Sequence, residues 1–351
     1  MPVLEINDLV IDFDTDQGVV EAIDHLTLSV REGEILGVVG ESGCGKTTVA
    51  RSIMGVVPQP PARLRAGEIR FQGEDLLQMA EADLTGRIRG KVITVIPQDP
   101  LASLNPLFPI GVQLRDLLKW SQRGQRSPST KANRGQIIDL LKAVQLPSPE
   151  AQLRKYPHEF SGGQRQRLLI AAALAPNPTL IIADEPTSAL DVTVQAQILL
   201  LLKSLVNERS TSVFLITHDL GVVAKLCDRV AVMYAGQEVE VAPTAALFRH
   251  PSHPYTQKLL DSLPDRQQGE IQGIPGVVPG LIDPPRGCRF HTRCEEAMPI
   301  CREQRPSAVE LFPDHLVRCH LFPAEEVHGP AACIPSENQV RRHQSPDDEN
   351  L

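Results

Sequence analysis

Apolar and polar residues alternate through Leu4–Ile6 and Leu9–Phe13 and again through Ala22–Val30, with Asp14–Gly18 between them as a turn, so the chain opens in strands. Glu34–Val39 carries a continuous apolar run that ends in glycine, the pattern of a strand buried on both faces. Helical character follows over Thr47–Met54. Gly67–Phe71 and Val92–Ile96 read as further strands, and Ile137–Val144 and Gln164–Ala175 as helices, the latter stopped by Pro176 and Pro178. The polar stretch between Trp120 and Gln136 is expected to be a solvated loop between helices. Leu180–Ala183 and Val213–Thr217 are buried strands flanking a helix from Val194 to about Asn207. Strands alternating with helices predict an α/β fold with a largely parallel sheet. After about Arg249 the chain turns proline-rich and irregular, which sets a boundary near residue 250 and a separate loop-rich module beyond it. Pro335–Leu351 is polar and is expected to lack a fold.

Composition narrows the function. Hydrophobic residues make up 42% and charged residues 22% of 351, an ordinary globular balance. A net charge of -8 argues against a nucleic-acid partner, which needs a basic face. The richest apolar stretches, Leu168–Ala175 and Ile198–Leu202, are too short to cross a bilayer, and the acidic start does not resemble a targeting peptide. A cytosolic protein is expected, reaching any membrane through a partner.

Gly40-Glu41-Ser42-Gly43-Cys44-Gly45-Lys46-Thr47 fits G-x-x-x-x-G-K-[ST] in full, after a buried strand and before a helix. In such a loop the glycines let successive N–H groups turn onto phosphate oxygens, and the helix offers its positive end. Lys46 is placed to reach the outer phosphates and the Thr47 hydroxyl to ligate Mg²⁺. Cys44 sits within the loop as a small residue.

A second constellation follows. Leu180–Ala183 runs into Asp184-Glu185. Adjacent acids at a strand end are commonly a solvated pair. Downstream of a phosphate loop, Asp184 becomes a metal carboxylate and Glu185 the group that polarises an attacking water. His218, after the strand Val213–Thr217, can reach a γ-phosphate, and Gln98, after Val92–Ile96, can sense metal and water. Ser161-Gly162-Gly163-Gln164 precedes a helix; by itself it reads as a serine N-cap, or else as a second anion site.

In this order the set resembles the nucleotide-binding subunit of ABC transporters, over roughly residues 3–250. The resemblance implies a P-loop cassette: a mixed-sheet core, a helical subdomain over about 100–175 and an antiparallel β subdomain. Gly40–Thr47 with Thr48 corresponds to Walker A, Gln98 to the Q-loop, and Ser161, Gly162, Gly163 and Gln164 to the signature. Ile181–Asp184 corresponds to Walker B, Glu185 to the catalytic glutamate, Ser188–Asp191 to the D-loop and His218 to the switch histidine. Phe13 falls where the family stacks an aromatic on adenine; a core phenylalanine is the alternative. The family implies two cassettes head to tail, with Ser161–Gln164 and Asp191 acting on the partner's ATP. Two departures stand out: Phe160 where leucine is usual before the signature, and Pro97 where an aromatic is common before Gln98.

Of seven cysteines, Cys288, Cys294, Cys301 and Cys319 crowd together as C-x5-C-x6-C-x17-C. In a reducing compartment this suggests metal more than disulfides, and without a tight knuckle both zinc and an iron–sulfur cluster stay open. His253-Pro254-Tyr255-Thr256 and Pro275–Pro285 resemble the C-terminal extension (about 251–330) of the oligopeptide, dipeptide and nickel importer ATPases. That branch implies a [4Fe-4S] cluster on the four cysteines, with Zn²⁺ the alternative. It also implies a heterodimer with a second ATPase, two transmembrane permease subunits, an extracytoplasmic binding protein, and a place on the cytoplasmic face of the inner membrane. Peptides are the expected cargo, with nickel or glutathione as other possibilities in the branch. A soluble ABC ATPase and a redox sensor are the rival readings.

Overall fold

The computed structural model describes residues 2–123, 130–188, 190–263 and 273–323. Ala189 of the D-loop stretch, Cys333 and the tail expected over Pro335–Leu351 lie outside the described residues. Twelve strands are described: β1 (Pro2–Thr15), β2 (Gly18–Arg31), β3 (Ile35–Val39), β4 (Ala62–Phe71), β5 (Glu74–Asp75), β6 (Ile93–Ile96), β7 (Leu180–Asp184), β8 (Ser212–Ile216), β9 (Arg229–Tyr234), β10 (Gln237–Pro243), β11 (Val309–Phe312) and β12 (His315–Val317).

They form two sheets. The smaller is antiparallel, in the order β2-β1-β4-β5, and begins with the hairpin whose Thr15↔Gly18 pairing closes the predicted turn. The larger runs β11-β12-β10-β9-β3-β8-β7-β6. Within it β9, β3, β8, β7 and β6 are mutually parallel, while β10, β12 and β11 add an antiparallel wing.

The parallel strands read as unbroken apolar runs because both faces are covered. Ile181, Ala183, Val213 and Leu215 pack with the helices Gly162–Leu174 and Val192–Arg209 on one side. Leu180, Ile182, Phe214 and Ile216 face the antiparallel sheet and the helix Lys46–Ile53 on the other.

The helices Ile110–Ser121, Thr130–Ala143 and Gly162–Leu174 bury Leu114, Leu118, Leu140, Leu141 and Ile170 against one another. Here two expectations need correcting. The solvated loop predicted up to Gln136 already becomes helix at Thr130, because the apolar face that begins at Ile137 supports turns of helix that carry little apolar surface themselves. The segment after residue 250 is not separate: β12 pairs with β10 through Glu240↔Val317 and so extends the main sheet. Buried acids on β10 receive it. Glu238 accepts from Arg318 Nε at 2.7 Å, and Glu240 lies 2.7 Å from His315 Nε2.

Candidate active site

Ligands in open parallel sheets gather outside the carboxyl ends of the strands, and here four neighbouring strands deliver the predicted side chains to that edge. β3 runs into Gly40, β7 ends at Asp184 with Glu185 next, and β8 and β6 each end two residues before His218 and Gln98. One cleft of about 720 Å³ is lined by Phe13, Ser42, Gly43, Gly45, Lys46, Thr47, Thr48, Gln98, Asp184, Glu185 and His218. That volume lies within the range of ligand pockets. Gly40 and Cys44, also expected at the site, belong to the loop but do not line the cleft. A Cβ on Gly40 would sit 2.1 Å from the Met233 carbonyl oxygen, and φ there is +155°, so only glycine fits. Cys44 is 1% exposed, with Sγ 3.6 Å from Lys46 Nζ; burial raises its pKa.

The loop's lysine is anchored from within: Lys46 Nζ donates to Gly40 O at 2.7 Å and to Glu41 O at 3.1 Å. Opposite it, Glu185 is held at both oxygens. Gln98 Nε2 donates to one at 3.0 Å, and His218 Nδ1 lies 3.0 Å from the other. Glu185 adopts φ +47°, turning the chain as it leaves β7, and its N–H donates to Ile216 O at 2.8 Å. Burial raises the Asp184 pKa and the neighbouring Glu185 raises it further, opposed by Arg51, the Thr47 hydroxyl and Lys46. The Asp184 carboxylate and the Thr47 hydroxyl beside it are hard-oxygen donors of the kind that suits a divalent cation carried by a triphosphate.

Residues 23–188 match the ABC transporter family, and residues 239–301 match the C-terminal region of oligopeptide/dipeptide transporters. The oligopeptide transport ATP-binding protein OppD of Bacillus subtilis is 45% identical over 322 residues, covering 91% of this chain and 88% of OppD. This chain belongs to the ABC transporter ATPases. The dipeptide transport ATP-binding protein DppD of Escherichia coli K12 is 41% identical over 332 residues, 94% of this chain and 99% of DppD. Among solved structures, the ATP-binding cassette MJ0796, in a dimeric post-hydrolysis state bound to ADP and Pi, aligns with a TM-score of 0.61 at 26% identity. That alignment covers 69% of this chain and 98% of MJ0796.

The ABC ATPase does not bring every predicted residue to its own cleft. Ser161 caps the helix Gly162–Leu174: its Oγ accepts from Gln164 N at 3.3 Å while Gln164 Oε1 accepts from Ser161 N at 3.1 Å. Asp191 caps the helix Val192–Arg209 through Val194 N at 2.9 Å. The two helix starts lie beside each other. A Cβ on Gly163 would lie 2.6 Å from Val194 Cγ1, so glycine is needed for the approach. Ser161, Gly162, Gly163, Gln164 and Asp191 are absent from the residues lining this chain's cleft.

Cys288, Cys294, Cys301 and Cys319 converge on one small cavity, and none is in a disulfide. Burial pushes the Cys288 thiol up to about 11 and the Cys319 thiol up to about 12, with the neighbouring cysteines adding to both. His253 lines the same cavity, is 1% exposed, and has a buried Nε2 with no hydrogen-bond partner among the described residues. Its Nδ1 accepts from Tyr255 N at 3.0 Å, which leaves the proton on Nε2, and burial lowers its pKa to about 4. Among the described residues, however, no group of three or more His, Cys, Asp or Glu side chains is placed to hold a metal ion. The expected [4Fe-4S] or Zn²⁺ site is therefore not found preformed.

Sequence reasoning missed four lining residues: Val20, Ala22, Ile216 and Leu281. Ala22 and Ile216 lie on strands expected from the sequence, and Val20 lies on β2 just ahead of its alternating run. Leu281 comes from the extension, where its carbonyl accepts from Glu21 N at 2.8 Å and Val20 bridges to Ile282. No local pattern signals that approach. Leu281→Ala is expected to raise the KM for ATP about threefold to tenfold, the equivalent of about 1 kcal/mol of apolar contact, as measured by steady-state ATPase kinetics.

Proposed function

We propose that this ATPase energises import of di- or oligopeptides through a membrane permease. The observation that carries the mechanism is the meeting of the phosphate loop, Asp184, Glu185, Gln98 and His218 in one cleft. In this reading the loop amides and Lys46 hold the triphosphate, Thr47 and Asp184 hold Mg²⁺, and Phe13 borders the base. The cation neutralises phosphate charge when bound. Glu185 accepts a proton from the attacking water, while His218 and Gln98 fix its carboxylate. Ser161–Gln164 and Asp191 complete the corresponding site of a second ATPase subunit, most simply a related chain in a heterodimer.

Transport is supported over a soluble ATPase by two observations. The relatives are named as oligopeptide and dipeptide transport proteins. In addition, Leu101, Leu107 and Phe108, just beyond Gln98, are 61%, 77% and 49% exposed, an apolar edge that suits two permease subunits at the cytoplasmic face of the membrane. Among the described residues no helix is long and apolar enough to cross a membrane. An extracytoplasmic binding protein would supply the peptide. Uptake of labelled di- and oligopeptides, nickel and glutathione by cells with and without this gene tests the reading; loss of nickel or glutathione uptake alone would overturn the peptide assignment.

For the extension, the reading is that the four cysteines hold a [4Fe-4S] cluster, with His253 Nε2–H as a donor beside it. It is supported by four free thiols and an orphaned buried nitrogen around one cavity. Anaerobically purified protein should contain about four irons and matching sulfide per chain, lost in Cys301→Ser. Iron-free protein contradicts the cluster, and zinc in its place would assign the alternative metal.

A further inference from the structure

Glu41 is the one charged residue of the phosphate loop besides Lys46, and every polar group it carries is engaged. Its N–H donates to Tyr255 Oη at 3.0 Å, and its carbonyl accepts from Lys46 Nζ. Its carboxylate meets Arg293 in a bidentate pair, Nη1 to Oε2 at 2.7 Å and Nη2 to Oε1 at 3.2 Å. Tyr255 and Arg293 both come from beyond residue 250, and Arg293 directly precedes Cys294.

Arg293 is built in as firmly. Its side chain is 3% exposed. Besides Glu41, Nη1 donates to Tyr234 Oη at 3.2 Å, Nη2 to Ile274 O at 2.9 Å and Nε to Pro275 O at 3.0 Å. All five guanidinium N–H groups therefore have acceptors, and only one acceptor is charged. Tyr234, Tyr255 and Phe290 pack ring against ring beneath it, with centroids 4.6 to 5.3 Å apart. Such a satisfied, buried fork has a fixed position and so can hold a loop in register.

From this juxtaposition we infer that Arg293 is a positioning residue for ATP: by clamping Glu41 it holds the phosphate loop in its binding shape, which makes the C-terminal extension a working part of the nucleotide site. The inference rests on ATP binding at that loop and is independent of whether the cysteines carry a metal.

The test is nucleotide affinity of the full chain, measured by titration with ATP, beside thermal unfolding. Arg293→Ala and Glu41→Gln should each weaken ATP binding about fivefold to thirtyfold, and the double variant should be no weaker than the worse single one, as coupled partners require. Arg293→Lys, which keeps the charge but not the fork, should fall between. Arg305→Ala serves as the control, because Arg305 pairs with Asp24 at 3.3 Å elsewhere on the boundary between extension and cassette. It should lower the unfolding temperature and leave ATP affinity unmoved. If Arg293→Ala does not fold, Glu41→Gln and Arg293→Lys decide. Affinity unchanged in these variants, or lost additively in the double, overturns the inference. A wild-type chain that binds no ATP would instead defeat the nucleotide-site reading itself.

Discussion

Glu185→Gln should bind ATP like the wild type and turn it over about 10²- to 10⁴-fold more slowly, the usual contribution of a positioned general base. The substitution keeps size and shape, so the contacts from Gln98 and His218, each at 3.0 Å, can be largely preserved. What disappears is the carboxylate's capacity to take a proton. Binding should survive because the groups proposed to grip the triphosphate, the loop amides and Lys46, lie on the opposite side of the cleft. Phosphate release and nucleotide titration on the same preparation check this. Wild-type turnover would show that Glu185 is not the base.

Lys46→Ala should act on the other half of the site and weaken ATP binding itself. The ammonium is tied to Gly40 O and Glu41 O, so its charge is fixed where the loop's amides converge. A charge-assisted hydrogen bond of this kind contributes about 1.5–3 kcal/mol, so affinity should fall about 10- to 100-fold. The Gly40 carbonyl would also lose the lysine as donor and the Glu41 carbonyl would keep only Cys44 N–H, which loosens the loop. Equilibrium titration distinguishes this variant from Glu185→Gln: one loses affinity, the other turnover. If both variants lost only turnover, the division of labour proposed between the two sides of the cleft would fail.

These residues were legible in the sequence because each belongs to a short, local device: a loop between strand and helix, or an acid pair at the end of an apolar run. What the sequence could not show is the order β3-β8-β7-β6, which makes strands far apart in the chain neighbours and turns separate devices into one cleft. The extension was harder to read for a related reason. β10 carries Gln237, Glu238 and Glu240, a polar pattern that does not look like a buried strand. Its acids are buried because Arg318 and His315 reach them from more than seventy positions away, and a single sequence gives no sign of such partners. The same holds for Leu281 against Glu21 and for Arg293 against Glu41. The cysteine spacing did reveal a cluster, and the structure brings all four thiols to one cavity without setting them at metal-binding positions.

Ser161 is the most informative single residue left, because among the described residues its side chain only caps a helix. The decisive measurement is a structure of the transporter assembly carrying Glu185→Gln and saturated with Mg·ATP. The expected result is Ser161 Oγ and the Gly163 N–H within hydrogen-bonding distance of the γ-phosphate held by the phosphate loop of the opposite ATPase subunit. Nucleotide bound through one subunit alone, with Ser161 facing solvent at full occupancy, would contradict it.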